Sequence, residues 1–194
     1  MNETGTGGYT TEEAYANYSG FDSSVGASIV STYTGPAGLP APEGGASADL
    51  TYYIYYSGPA GMNLPVVVTA TGANASSTTA ASEIESLTLT DLGVRLEAGS
   101  TGGLPTSFSG TEVMIPADTL EEVVLHAGAG LSTPLGGTVS AYVDPTFTID
   151  PSFAQASEYT LEFSPVPEPA SLPLMGLGVA ALLCVRHFRG RTAA

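Results

Sequence analysis

Lysine is absent from this 194-residue sequence, and its four arginines stand against 19 aspartates and glutamates, so the formal net charge is −15. Three of the arginines lie among the last nine residues, which leaves Arg95 as the only arginine in the rest of the chain. Proteins that bind DNA or RNA need Lys and Arg to neutralise phosphate groups. We therefore expect no nucleic-acid partner.

Cysteine and histidine are also scarce, since the chain has only Cys184, His126 and His187. An intrachain disulfide is excluded, and a zinc site would need three or four Cys or His ligands. A P-loop would need a lysine. A Ser–His–Asp site would have to use His126, which follows the apolar run 123–125 and is interpreted as a structural histidine at a strand end. We predict no enzyme activity and no cofactor.

Carboxylates are the only plentiful reactive groups. A glycosidase needs two of them at a separation that only the fold sets, so the sequence leaves that alternative open. Three aspartates, Asp118, Asp144 and Asp150, are weak candidates for calcium ligands. Asp144-Pro145 and Asp150-Pro151 are also typical of turns, and turn chemistry explains these aspartates without a metal. We therefore predict turns at both positions and no metal site.

The body of the chain has the pattern of an all-β protein. Hydrophobic residues make up 43% of the sequence and charged residues only 12%, which argues against disorder. Gly, Pro and Ser punctuate short segments of alternating polarity, and no stretch has the period of an amphipathic helix. The pattern predicts an antiparallel β-sandwich of jelly-roll type, with strands at 27–34, 49–57, 65–71, 84–90, 92–97, 108–115, 120–126, 139–143, 147–149 and 159–163.

The clearest of these strands is 49–57. Its side chains alternate, so one face carries Leu50, Tyr52, Ile54 and Tyr56. The turn at 58–61 predicts that strand 65–71 is its hairpin partner. Tyr53 and Tyr55 lie on the opposite face and could stack on sugar rings as a ligand face. The alternative, which we favour, is that both faces of a central strand are partly covered.

The C-terminal tail changes in character after Phe163. Prolines at 165, 167 and 169 predict an extended, exposed linker, because proline lacks the backbone N–H and restricts the preceding residue. The uncharged run 172–185 would span roughly 21 Å as a helix, against about 30 Å of membrane hydrocarbon. Including flanking residues, we predict a short transmembrane helix at 172–188, although a buried core helix is the alternative. The basic residues beyond the uncharged run, Arg186, Arg189 and Arg191, place the C-terminus in the cytoplasm.

The order of these features resembles the PEP-CTERM sorting signal. Residues 166–171 read Val166, Pro167, Glu168, Pro169, Ala170 and Ser171, and an apolar segment and arginines follow. The resemblance implies export, transient anchoring in the inner membrane and recognition by an exosortase-type membrane protease that removes the tail. It also implies delivery to the cell surface or to the extracellular polysaccharide matrix of a biofilm. The body is weakly similar to the sandwich ectodomains of such proteins.

These observations divide the chain into five parts. Residues 1–25 are a polar N-terminal segment, in which 11–16 could form a helical turn, and the expected signal peptide would lie upstream. Residues 26–164 form the sandwich, 165–171 the motif and linker, 172–188 the membrane helix and 189–194 a basic tail. We predict an exported structural or adhesive surface protein. The alternatives are a carbohydrate-binding or carbohydrate-active surface protein, and a single-span inner-membrane protein that is never cut.

Overall fold

The structure is a computed structural model that describes residues 8–20, 23–33, 43–72, 75–76, 81–99, 108–131 and 136–165. In these ranges the chain forms a 3-10 helix at Ala156–Glu158 and eleven β-strands. The strands are β1 (Gly8–Asn17), β2 (Ser24–Tyr33), β3 (Gly44–Ser57), β4 (Asn63–Gly72), β5 (Ala75–Ser76), β6 (Ala81–Leu89), β7 (Val94–Gly99), β8 (Phe108–Pro116), β9 (Leu120–Leu131), β10 (Gly136–Ile149) and β11 (Thr160–Pro165).

The strands form two antiparallel sheets. Sheet A has the order β1-β2-β10-β4-β8, with β5 beside β10, and sheet B has the order β11-β3-β9-β6-β7. Leaving out β1, β5 and β11, the chain alternates between the sheets except at the β6–β7 hairpin, and the order β2-β10-β4-β8 over β3-β9-β6-β7 is that of an eight-stranded jelly roll. The predicted all-β fold with two antiparallel sheets is confirmed.

Alternating side chains explain why the two sheets pack together. In β9, every second residue from Glu121 to Leu131 is buried, and the residues between them are half-exposed. The inner faces of the sheets share one apolar core. Its largest fully buried apolar side chains are Tyr52, Tyr56, Ile29, Ile54, Leu64, Leu87, Leu89, Ile115 and Leu125.

The predicted pairing of the two strand segments on either side of the turn at 58–61 is wrong. Segment 65–71 is not the hairpin partner of 49–57, because β3 pairs with β9 and β11 whereas β4 pairs with β8 and β10 in the other sheet. The turn at 58–61 therefore carries the chain from one sheet to the other. Turn residues fix where a strand ends but not which strand it joins, since distant segments offer the better partners.

The predicted turn at Asp144-Pro145 is also wrong, because β10 runs unbroken through both residues. Asp150 N donates a hydrogen bond to Pro65 O at 2.7 Å, so the even-numbered residues of β10 bond to β4 here. The nitrogen of Pro145 consequently points toward β2, whose pairing with β10 ends at Val143. A strand tolerates proline where its missing N–H has no partner to lose.

Residues 8–17, which the sequence leaves in a polar N-terminal segment, form β1 instead of containing a helical turn. β1 pairs with β2 along its whole length, from Gly8 opposite Tyr33 to Asn17 opposite Ser24. The Tyr15 ring covers Gly26 on the outer face of sheet A, where a Cβ atom on the glycine would lie 2.5 Å from that ring. Such cross-strand aromatic cover of a glycine stabilises an edge pairing.

We expect Leu125→Ala to lower the free energy of unfolding by about 2–5 kcal/mol, because it leaves a cavity between the sheets. Leu125 is fully buried, whereas Leu120 on the same strand is 46% exposed. Leu120→Ala is therefore the control and should cost less than about 0.5 kcal/mol. Urea unfolding followed by circular dichroism measures both. Equal losses in the two variants would contradict the core assigned here.

Candidate functional site

The sequence-predicted sorting residues lie outside the described residues. They are Val166, Pro167, Glu168, Pro169, Ala170, Ser171, Arg186, Arg189 and Arg191. The last described residue, Pro165, ends β11 opposite Tyr52 of β3. Within the ranges that the structure describes, no helix has the length and apolar character needed to cross a membrane. The predicted membrane segment 172–188 falls beyond those ranges.

The two predicted ligand tyrosines lie on the outer face of sheet B. Tyr53 Oη donates a hydrogen bond to Glu122 Oε2 at 2.9 Å, and Tyr55 Oη donates to Asp118 Oδ1 at 2.8 Å. These hydrogen bonds to carboxylates raise the pKa of both tyrosines. Both rings are half-buried. The face therefore combines two fixed aromatic rings with two carboxylates, which are the groups that orient a polar ring-shaped ligand.

The same outer face holds His126 and Arg95. His126 Nδ1 lies 2.7 Å from Asp49 Oδ1 across the β3–β9 pair. Arg95 Nη2 lies 2.7 Å from Glu97 Oε1, two residues along β7. The single arginine of the described residues is thus already paired with a carboxylate. It does not neutralise the other carboxylates on this face, so the face is acidic. An acidic face favours neutral or cationic ligands over anionic ones.

The weak calcium candidates are not brought together. Asp150 accepts a hydrogen bond from Ser152 N at 2.7 Å, which is a turn contact and lowers its pKa. Asp144 accepts one from Tyr142 Oη at 3.3 Å on the outer face of sheet A. Asp118 lies in a β8–β9 turn with φ of 59°. Among the residues that the structure describes, no three His, Cys, Asp or Glu side chains are grouped to hold a metal ion.

Sequence reasoning missed three carboxylates in the interior, Glu83, Glu85 and Glu121, each at most 2% exposed. Glu121 Oε1 accepts hydrogen bonds from the backbone N–H groups of Asp91 and Leu92 in the β6–β7 turn, at 3.2 and 3.4 Å. The sequence contained a signal for this burial, because Glu83 and Glu85 alternate along β6 on the same face as Leu87 and Leu89. Glutamate is rarely buried, so the polarity of these residues concealed the strand's inner face.

Burial, together with a smaller effect of the nearby charge of Glu83, raises the pKa of Glu85 to about 7. A hydrogen bond with the Tyr142 backbone acts in the opposite direction. In the unfolded chain the same group titrates near 4.5. The folded protein consequently binds the Glu85 proton more tightly than the unfolded chain does, and the interior holds this group best when it is protonated.

We expect this group to make the protein less stable as the pH rises. Its contribution is fully present below about pH 4.5 and is lost as the pH rises through about 7, amounting to about 3 kcal/mol. Glu85→Gln keeps the shape and a hydrogen-bond acceptor but cannot ionise, so it should flatten the stability profile between pH 5 and pH 8. Urea unfolding at each pH measures this, with exposed Glu13→Gln as the control. A Glu85→Gln profile parallel to wild type would refute the assignment.

Comparison with known proteins adds a finding about the tail alone. The family model described as the PEP-CTERM protein-sorting motif matches residues 165–189. No curated protein and no solved structure matches the chain. The matched range starts on the last residue of β11 and includes the Pro-Glu-Pro signature at 167–169, the apolar run, Arg186 and Arg189. The motif implies recognition by an exosortase and export to the cell surface through membrane-anchored sorting. The chain therefore carries a PEP-CTERM protein-sorting motif.

Proposed function

We propose that the β-sandwich is a non-enzymatic surface or extracellular-matrix domain that an exosortase frees from a temporary membrane anchor. The supporting observation is the junction between fold and motif. β11 ends at Pro165, and the matched motif begins at the same residue. The folded body and the matched motif thus share Pro165 alone.

This junction is suited to a cut within residues 167–170. Such a cut lies beyond Pro165, so all eleven strands and their pairings stay in the released part. Proteases bind their substrates in extended form, and alternate prolines keep a chain extended. The released product is then a complete sandwich with a short C-terminal stub.

The membrane anchor is assigned to residues 172–188, with Arg186, Arg189 and Arg191 on the cytoplasmic side. The charge distribution supports this orientation, because basic residues follow the apolar run while the preceding body contains Arg95 alone. An uncut single-span protein in the inner membrane is the alternative arrangement.

In this proposal the ectodomain associates with extracellular polysaccharide. Support comes from the outer face of sheet B, where the Tyr53 and Tyr55 rings are held by Glu122 and Asp118. Sugar rings stack on aromatic faces while their hydroxyl groups bond to carboxylates. This makes carbohydrate binding the second candidate function, and it does not require the domain to be an enzyme.

Sorting is tested in a host that carries an exosortase and supplies a secretory signal, with one tag on each side of Pro167. We expect the N-terminal tag outside the cell on a product that ends between residues 167 and 170 by mass spectrometry. Combined Pro167→Ala and Glu168→Ala should leave the full-length chain in the inner membrane. Pro151→Ala, outside the motif, is the control and should be cut normally. If wild type also remains full-length in the membrane, the uncut anchor is correct.

Carbohydrate binding is tested with the extracellular polysaccharide purified from the producing strain. Combined Tyr53→Ala and Tyr55→Ala should weaken binding roughly tenfold or more, because each aromatic contact is worth about 1 kcal/mol. Tyr15→Ala removes an exposed tyrosine from the other sheet and should leave binding unchanged. Isothermal titration calorimetry measures the affinity of wild type, the double variant and Tyr15→Ala for the polysaccharide. Unchanged affinity in the double variant would exclude this face as the ligand site.

A further inference from the structure

The two tyrosines of the proposed ligand face are held in place by carboxylates. Tyr53 lies opposite Glu122 in the β3–β9 pair and donates its hydrogen bond to it, and Tyr55 donates to Asp118 in the turn before β9. A carboxylate has about four acceptor positions, and one phenol occupies only one of them. Glu122 and Asp118 can therefore bind a ligand while they hold the rings.

A third carboxylate lies beside the same rings. Glu162 of β11 is the cross-strand partner of Tyr55, and its Oε1 accepts a hydrogen bond from Ser57 Oγ at 2.8 Å. The raised pKa of Tyr55 comes first from its hydrogen bond to Asp118, and the negative charge of Glu162 contributes to it. Glu162 thus acts electrostatically on the group that a ligand would contact.

The basic side chains of this outer face lie elsewhere on it and are already paired. His126 Nδ1 lies 2.7 Å from Asp49, and Arg95 lies 2.7 Å from Glu97 on β7, two strands away from β9. His126 is four residues along β9 from Glu122, or about 13 Å, which exceeds the screening length of about 10 Å at 0.1 M salt. Among the residues that the structure describes, no cation therefore lies beside the three carboxylates around the tyrosines.

Unbalanced carboxylates discriminate between ligands by charge. Neighbouring like charges repel one another, and a ligand with positive groups removes that repulsion. A neutral ligand would take the carboxylates out of water without supplying an opposite charge, which costs free energy. The tyrosine rings favour the same cationic ligand, because an ammonium group within about 6 Å of an aromatic face is attracted to it.

We propose that the ligand of this face is a cationic polysaccharide, a polymer of amino sugars whose amines are free and protonated. Its sugar rings stack on Tyr53 and Tyr55, and its ammonium groups bind Glu122, Asp118 and Glu162. These carboxylates lie on three segments, β9, the β8–β9 turn and β11, so single charges repeated along a polymer suit their spacing. This inference rests on the proposed association with polysaccharide and names the class of polymer.

Two sugar oligomers test the charge of the ligand. At pH 5.5 the β-1,4-linked hexamer of glucosamine carries ammonium groups, whereas the hexamer of N-acetylglucosamine has the same backbone and no charge. Calorimetry with the purified full chain in non-ionic detergent should show at least about tenfold tighter binding of the glucosamine hexamer, because several exposed ion pairs each add a modest factor. Equal affinities, or no binding of the glucosamine hexamer, would overturn the inference.

Variants that change charge alone locate the site. Glu122→Gln with Asp118→Asn removes two charges but keeps an acceptor oxygen for each tyrosine, and asparagine tolerates the φ of 59° at position 118. This double variant should bind the glucosamine hexamer about tenfold more weakly. Glu13→Gln with Glu112→Gln removes two exposed charges from sheet A and is the control, with a change below about twofold. Equal weakening in both double variants would mean that net charge alone attracts the ligand, against the proposed site.

Hexalysine distinguishes a polysaccharide from a basic protein segment as the partner. It carries six ammonium groups but has no sugar rings to stack on the tyrosines. We expect it to bind at least about tenfold more weakly than the glucosamine hexamer, because the stacking contribution is missing. Equally tight binding of hexalysine would assign the face to a basic peptide and overturn the choice of a polysaccharide.

These outcomes separate the inference from the proposed function. If both sugar hexamers bind equally and both lose affinity in Tyr53→Ala with Tyr55→Ala, the face binds polysaccharide and only the charge of the polymer is wrong. If the glucosamine hexamer binds as expected but the polysaccharide of the producing strain does not, the proposed matrix role fails and the cationic specificity of the face stands.

Discussion

The two-residue alternation of side chains along each strand is the constraint on which this protein depends. Two sheets must present apolar residues inward to share one core. In β3 this buries Tyr52, Ile54 and Tyr56 and forces Tyr53 and Tyr55 outward. Outward tyrosines then find polar partners on adjacent β9 and its turn. The same alternation that forms the core therefore also creates the candidate ligand face.

The scarcity of cations shapes the rest of the molecule. With Arg95 bound to Glu97 on the surface, two of the interior carboxylates interact with backbone groups instead of with a cation. Glu121 bonds to the β6–β7 turn, and Glu85 interacts with the Tyr142 backbone. A buried carboxylate without a cation favours its protonated form. The fold is thus coupled to pH through carboxylates in its interior.

The tail and the sandwich meet at an edge strand, and this position connects sorting with folding. β11 is only six residues long and, among the strands that the structure describes, pairs with β3 alone. Edge strands are among the parts of a sheet that open most readily, because a neighbouring strand holds them on one side only. A sorting motif that starts on such a strand can be presented to a protease without opening the core.

The sequence by itself determined the all-β class, the inner and outer faces of β3 and the PEP-CTERM motif. Each follows from a pattern of neighbouring residues, which is either alternating polarity over nine residues or the Pro-Glu-Pro signature followed by an apolar run and arginines. Only the tertiary structure decided that β3 joins β9 instead of β4, that β1 belongs to sheet A and that Glu83, Glu85 and Glu121 lie inside. Strand pairing depends on contacts between residues distant in the chain, and burial depends on which sheet covers each face, so neither is encoded in a local pattern.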